Sequence, residues 1–146
     1  MKHLILTGLM LLLALPVFAQ TSMSPEEEAK KLREGIDKEI DRLTTLLDLA
    51  DWQIFYVDST LTYNIESMRA EQKALMAAKV SNSDLYWKIT DKWQEATYVQ
   101  YRKIFNDQQW ERYLKAGGAK EKKARDKRAA KEAKAAADTK KKKEAK

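Results

Sequence analysis

Two glutamines, Gln53 and Gln109, and three consecutive carboxylates, Glu26-Glu27-Glu28, are the side chains whose type and spacing suggest specific chemistry. Three adjacent carboxylates could hold a hard cation. They directly follow Ser24-Pro25, however, and acids in a first turn complement the N-terminal dipole of a helix, so the triplet reads as a helix start. The one histidine, His3, falls in an expected leader, and the chain has no cysteine. Thiol nucleophiles, Ser-His-Asp triads and His/Cys zinc or nickel sites are thus excluded from the mature chain. The remaining acids lie among lysines, the pattern of solvated ion pairs on helix faces. No enzymatic activity, metal or cofactor is expected.

Each glutamine closes a five-residue segment: Leu49-Ala50-Asp51-Trp52-Gln53 and, about fifty-six positions on, Phe105-Asn106-Asp107-Gln108-Gln109. In the second, Asn106 is placed as the N-cap of a helix and Gln109 as its N3 residue. The Asn106 side chain then accepts from a free N–H of the first turn while Gln109 reaches back to the cap. Phe105 and Trp110, at N′ and N4, could staple that junction. In the first segment Ala50 offers no oxygen at the capping position. Either Asp48 takes over as cap, or two helices run together there at a bend.

The elements that must position these segments are helices. Between Gly35 and Gly117 there is neither glycine nor proline, so the tight turns of a hairpin-built sheet have no residues to form them. Leu32, Ile36, Ile40, Leu43 and Leu47 recur at steps of three and four after the Ser24-Pro25 start. A second stripe runs Ile54, Val57, Leu61, Ile65, Met68, Gln72, Leu75, and a third Tyr86, Ile89, Trp93, Ala96, Gln100, Ile104. Ser81-Asn82-Ser83-Asp84 separates them, with Ser81 and Asp84 as a candidate capping box. A short helix from Asn106 to about Ala116 would be stopped by Gly117-Gly118. Helices of about 23, 30, 21 and 10 residues follow, the second roughly 45 Å long. Such lengths imply an extended hairpin whose apolar sides a second copy covers, so a homodimer is expected.

Charge and hydropathy place this body. Met1-Lys2-His3, the apolar run Leu4 to Leu15 and Pro16-Val17-Phe18-Ala19 have the form of a secretory signal peptide, cleaved between Ala19 and Gln20. The run is too short to span a bilayer, for which roughly twenty residues are needed. Residues 20–114 hold 13 basic and 17 acidic side chains, whereas 115–146 hold 14 and 5. The basic pI therefore belongs to a tail, and nucleic acid is not an expected partner.

Two such segments in an exported, helical, cysteine-free chain resemble the LTxxQ signature of the Spy/CpxP family of periplasmic proteins. Leu49, Ala50 and Gln53 stand at the motif positions in one copy, and Phe105, Asn106 and Gln109 in the other. The resemblance covers roughly residues 26–116. It implies an all-α, four-helix extended hairpin that pairs antiparallel into a cradle-like dimer. It further implies a periplasmic, ATP-independent chaperone holding unfolded or misfolded envelope proteins, or a modulator of envelope-stress sensing. The family's metal-binding branch relies on histidines that the mature chain lacks.

Twelve of the thirteen aromatic residues lie within 52–113. Trp52, Phe55, Tyr56 and Tyr63 occupy a second face of the long helix, and Trp87, Tyr98 and Tyr101 lie off the third stripe. Two readings stand: these seven pack against helices or a dimer partner, or they form an amphiphilic client-binding surface. Residues 117–146 have no aromatic or large aliphatic side chain and so cannot dock as a core helix. They are expected to be disordered or loosely helical, serving either as a solubilising appendage or as a contact for anionic lipid or lipopolysaccharide. The rival functions are a structural protein docking one specific partner and a Skp/OmpH-like coiled-coil chaperone. The latter would require sustained heptads, which these interrupted stripes do not have.

Overall fold

The computed structural model describes residues 23–144, and over them the chain is all-α, with no strand among the described residues. The signal peptide over 1–19 and its cleavage after Ala19 lie outside the described residues.

Helix α1 spans Pro25–Leu47. Its start is a reciprocal cap: the Glu27 N–H donates to Ser24 Oγ at 3.2 Å and the Ser24 N–H donates to the Glu27 carboxylate at 3.0 Å. It stops because Asp48 turns left-handed, at φ 53. Helix α2 covers Asp51–Ala77 and ends before Lys79, also left-handed, a few residues short of the length expected. Asp48 therefore terminates α1 and does not cap α2. Ala50 holds the N-cap position in extended conformation without a side-chain bond. Helix α3, Ser83–Ile104, is capped by Asn82, whose Oδ1 accepts from the Asp84 N–H at 2.9 Å. That displaces the expected Ser81 cap by one residue.

Helix α4, Asp107–Tyr113, is shorter than expected, and Gly117-Gly118 redirects the chain instead of stopping it. A wide π-type turn over Leu114–Gly118 places Gly117 at φ 132, where a side chain would be strained. The chain then resumes as helix α5, Ala119–Glu144.

Helices α1, α2 and α3 form successive hairpins, α4 returns against α1, and α5 runs beside α3. The core gathers where the two five-residue segments meet: Ile36, Ile40, Leu43 and Leu47 from α1, Val57 and Leu61 from α2, and Tyr101, Ile104, Phe105 and Tyr113 from the α3–α4 end. Both of the first two stripes are buried or half-buried, as their periodicity requires.

The third stripe is buried or half-buried at Tyr86, Ile89, Trp93, Ala96 and Ile104 and departs from expectation at one position. Gln100 is exposed and Tyr101 is buried. The reason lies in the α2–α3 seam, which is partly polar. Asn64 Nδ2 donates to Thr97 Oγ1 at 2.9 Å, and Gln72 Nε2 donates to Thr90 Oγ1 at 3.0 Å. The threonine hydroxyls in turn donate to the Trp93 and Tyr86 carbonyls one turn back. Thr90 and Thr97 thus face α2 beside the half-buried Ile89, Trp93 and Ala96, and Tyr101, not Gln100, enters the core. Among the described residues no helix is long and apolar enough to cross a membrane.

Candidate functional site

The two glutamines meet. Both are buried, each some 5–6% exposed, and their amides pair head to tail. Gln53 Nε2 donates to Gln109 Oε1 at 2.7 Å, and Gln109 Nε2 donates to Gln53 Oε1 at 3.0 Å. Each remaining donor and acceptor is used in matching fashion. Gln53 Oε1 accepts from the Ala50 N–H, and Gln109 Oε1 from the Asn106 N–H, both at 3.0 Å. Gln53 Nε2 donates to the Ile104 carbonyl at 2.9 Å, and Gln109 Nε2 to the Leu47 carbonyl at 3.2 Å.

Each glutamine thus caps its own helix while binding the last carbonyl of the helix that precedes the other. A primary amide offers two N–H donors and an oxygen with two lone pairs. All four capacities are satisfied in both, the condition under which buried polar groups stabilise a core. The arrangement has near twofold symmetry, broken by Asp48, for which the second segment has no counterpart. Leu49 and Phe105 are both buried beside the pair.

Asn106 completes the second cap, its Oδ1 accepting from the Gln109 N–H at 2.9 Å. Phe105 and Trp110 share a neighbour in Tyr113, with ring centroids 5.9 and 5.3 Å away. The motif residues Leu49, Ala50, Gln53, Phe105, Asn106 and Gln109 are accordingly brought together as a helix-junction lock. The amides are fully engaged, and the groups around them are backbone, aliphatic and aromatic.

The seven aromatic candidates divide. Trp52, Phe55, Tyr56 and Tyr63 are 56, 66, 54 and 66% exposed. They recur at helical spacing opposite the buried Gln53, Val57, Leu61 and Met68 of the same helix. Trp52 meets Tyr56 edge to face at 6.2 Å, and Phe55 meets Tyr56 at 5.6 Å. Tyr63 lies 5.9 Å from Trp93 of α3. Trp87 is also exposed, but the guanidinium of Arg128 sits over its ring at 5.3 Å.

Tyr98 and Tyr101 must be withdrawn as open surface. Tyr98 packs on Trp110 at 4.9 Å, and Tyr101 is core, against Phe105 and Tyr113. Burial pushes the Tyr101 and Tyr113 phenols well above the usual tyrosine range.

The acidic start of α1 is occupied by structure. Glu27 caps, and Glu28 pairs with Arg69 and, at 3.1 Å, with Lys73, tying the start of α1 to the end of α2. Arg33 bridges Asp37 and Asp58 at 2.5 and 2.8 Å, and its guanidinium holds the Asp58 carboxyl below the usual range. Among the described residues no cluster of His, Cys, Asp or Glu could hold a metal ion.

Three features of the site escaped sequence reading. The direct pairing of the glutamines had one legible signal, the repetition of a buried amide at the same place in two segments. The polar α2–α3 seam had only Gln72, the polar member of an otherwise apolar stripe. The docking of α5 on α3 had none in hydropathy.

No family model, curated protein or solved structure matches the chain. Its class is defined by the fold and the lock: a helical hairpin protein whose two helix junctions are joined by a reciprocal glutamine pair.

Proposed function

We propose that the protein is a periplasmic, ATP-independent holding chaperone that retains unfolded envelope proteins on the aromatic face of α2, as the Spy/CpxP resemblance implies. One observation carries the reading: Trp52, Phe55, Tyr56 and Tyr63 stand together on one exposed helix face. Large exposed apolar surface mostly marks interaction sites. Tyrosine and tryptophan bind apolar chain through their ring bodies and remain compatible with water through their polar tips. The same face, repeated by a second copy, would form the concave lining of an antiparallel dimer.

Holding of this kind requires no bond-making residue. It requires weak contacts spread along a stiff helix, each tolerant of sequence. The test is suppression of aggregation of a denatured client by the mature chain, beside a Trp52→Ala/Tyr56→Ala/Tyr63→Ala variant. The variant should melt within a few degrees of the wild type and lose the activity. Retained activity in that variant, or no activity in the wild type at several-fold excess, overturns the proposal. A pulldown yielding one stoichiometric partner in place of many damaged proteins would favour a dedicated regulator. Sedimentation at micromolar concentration tests the dimer.

A further inference from the structure

Helix α5 has no apolar side chain larger than alanine, yet it lies along α3 in a fixed antiparallel register. Arg125 Nε donates to Glu95 at 3.2 Å, with its guanidinium 5.4 Å from the Tyr98 ring. Lys122 stands 3.4 Å from the same carboxylate. One turn further along α5, Arg128 forms a two-pronged pair with Asp91, both bonds at 2.6 Å, and covers the Trp87 ring. Beyond it Glu132 accepts from Lys88 at 2.5 Å. The strip on α3 therefore runs aromatic, carboxylate, carboxylate, aromatic, and each arginine lies between one carboxylate and one ring: Arg128 with a two-pronged grip on Asp91 beside Trp87, Arg125 with a single bond to Glu95 beside Tyr98.

From this geometry we infer that the strip Trp87–Asp91–Glu95–Tyr98 is a receptor for arginine-bearing basic helical segments, and that α5 is its built-in occupant. Arginine is favoured at the Asp91 rung, because a planar guanidinium can grip a carboxylate with two bonds beside an aromatic ring, whereas Lys122 makes a looser contact at the other end, 3.4 Å from Glu95 and 5.9 Å from the Tyr98 ring. The hold is reversible for two reasons. Apart from the buried Arg125 the paired groups are exposed or half-buried, where ion pairs are individually weak and screened by salt, and α5 adds no large apolar side chain to strengthen them. The π-type turn at Gly117 gives the helix a separate root. A basic segment of another polypeptide bearing arginines three residues apart would compete for the same strip. This inference concerns α3 and stands whether or not the α2 face holds unfolded chains.

The test uses the full chain and a fluorescein-labelled peptide of residues 119–138, followed by anisotropy. Arg128→Glu with Glu132→Lys reverses two rungs at exposed positions while preserving the charge of α5. A wild-type chain whose strip is occupied nine-tenths of the time binds the peptide about tenfold more weakly than this unlatched variant. Adding Lys88→Glu and Asp91→Arg restores complementarity within the chain and should return peptide binding to the weak level. Circular dichroism melts within a few degrees of each other establish that all three fold. Half-molar salt should abolish binding, and a peptide with lysine at the positions of 125 and 128 should bind several-fold more weakly. Equal peptide binding by wild-type and unlatched chains, absence of binding to both, or equal binding of the lysine peptide overturns the inference.

Discussion

Helices are joined in two places by opposite physics. At the Gln53–Gln109 lock the joining groups are neutral, buried and fully paired. Along the α3–α5 seam they are charged and, apart from the buried Arg125, exposed or half-buried. A buried amide pair is held by the penalty of leaving its partners unsatisfied, so it has no graded open state. An exposed ion-pair ladder returns its members to water at little loss, so it can open in response to salt or a competing ligand. The contrast indicates which joint is permanent and which is available for regulation.

The sharpest way to break this comparison is to remove one glutamine. Gln109→Ala leaves the Leu47 carbonyl and half of the Gln53 amide without partners, and each such orphaned group costs roughly 1–3 kcal/mol. A loss of about 3 kcal/mol or more in chemical denaturation is expected, changing little between low and half-molar salt. Gln53→Leu with Gln109→Leu should be less harmful than the two single changes summed, because no side-chain amide is left facing a missing partner, and the loss that remains comes from the Ala50 and Asn106 N–H groups and the Leu47 and Ile104 carbonyls. Arg128→Ala, by contrast, should cost under ~1 kcal/mol, with the difference vanishing at high salt. Equal and equally salt-sensitive losses at the two joints would erase the distinction drawn here.

Between the joints lies the Leu114–Gly118 turn, and it sharpens the comparison at intermediate magnitude. A Cβ on Gly118 would stand 2.5 Å from the buried Tyr113 ring, which is held by Phe105, Tyr101 and Trp110. Gly118→Ala should therefore disturb the lock side, by about 1–3 kcal/mol. At Gly117 the space is open and only the backbone angle objects. Gly117→Ala should cost about 1 kcal/mol and act on the seam, raising hydrogen exchange along α5 while leaving α1 and α2 protected.

How much of this was legible in the sequence differs between the two joints for a physical reason. The α1 and α2 stripes were readable because leucine, isoleucine and valine at steps of three and four report burial directly. The caps at Ser24 and Asn106 were readable because capping is local chemistry. The register of α3 was not, because its contact line runs through Thr90 and Thr97, whose hydroxyls are satisfied by their own helix and by α2. That difference left Tyr101 open as a surface candidate, and of its two readings the structure gives packing: it is core. The seam was illegible for the same kind of reason. An arginine with a carboxylate on one side and a ring on the other looks, in composition, like an arginine in a solvated tail.

Ala50 offers a prediction in the stabilising direction. Gln53 already accepts from the Ala50 N–H, but the cap position returns no side-chain oxygen to the first turn of α2. Ala50→Asn should complete the reciprocal cap as at Asn106 and raise stability by about 1 kcal/mol. The gain should be independent of salt, as expected on the lock side of the molecule. An unchanged or lowered melting temperature would mean that the bend at Asp48 does not leave room for the cap.

The smallest expected effect comes from Glu121, at the root of α5, and it tests whether the junction between the joints carries a burial penalty. Burial is the main cause pushing its carboxyl above the ordinary value of 4.5; Glu39 reinforces the rise, and Arg125 and Arg42 oppose it. A carboxyl that holds its proton more tightly in the folded chain binds more protons there than in the unfolded chain as pH rises past 4.5. Folding is therefore progressively disfavoured from that point until the raised folded value is passed, and the penalty is constant above it. Glu121→Gln cannot ionise and escapes the penalty. The variant should match the wild type near pH 4 and exceed it at pH 7, by a shift in Tm on the order of 1 °C. A wild type that gains stability relative to the variant between pH 4 and pH 7 would mean that Arg125 and Arg42 outweigh burial. The root of α5 would then be held by charge alone, like the rest of the seam.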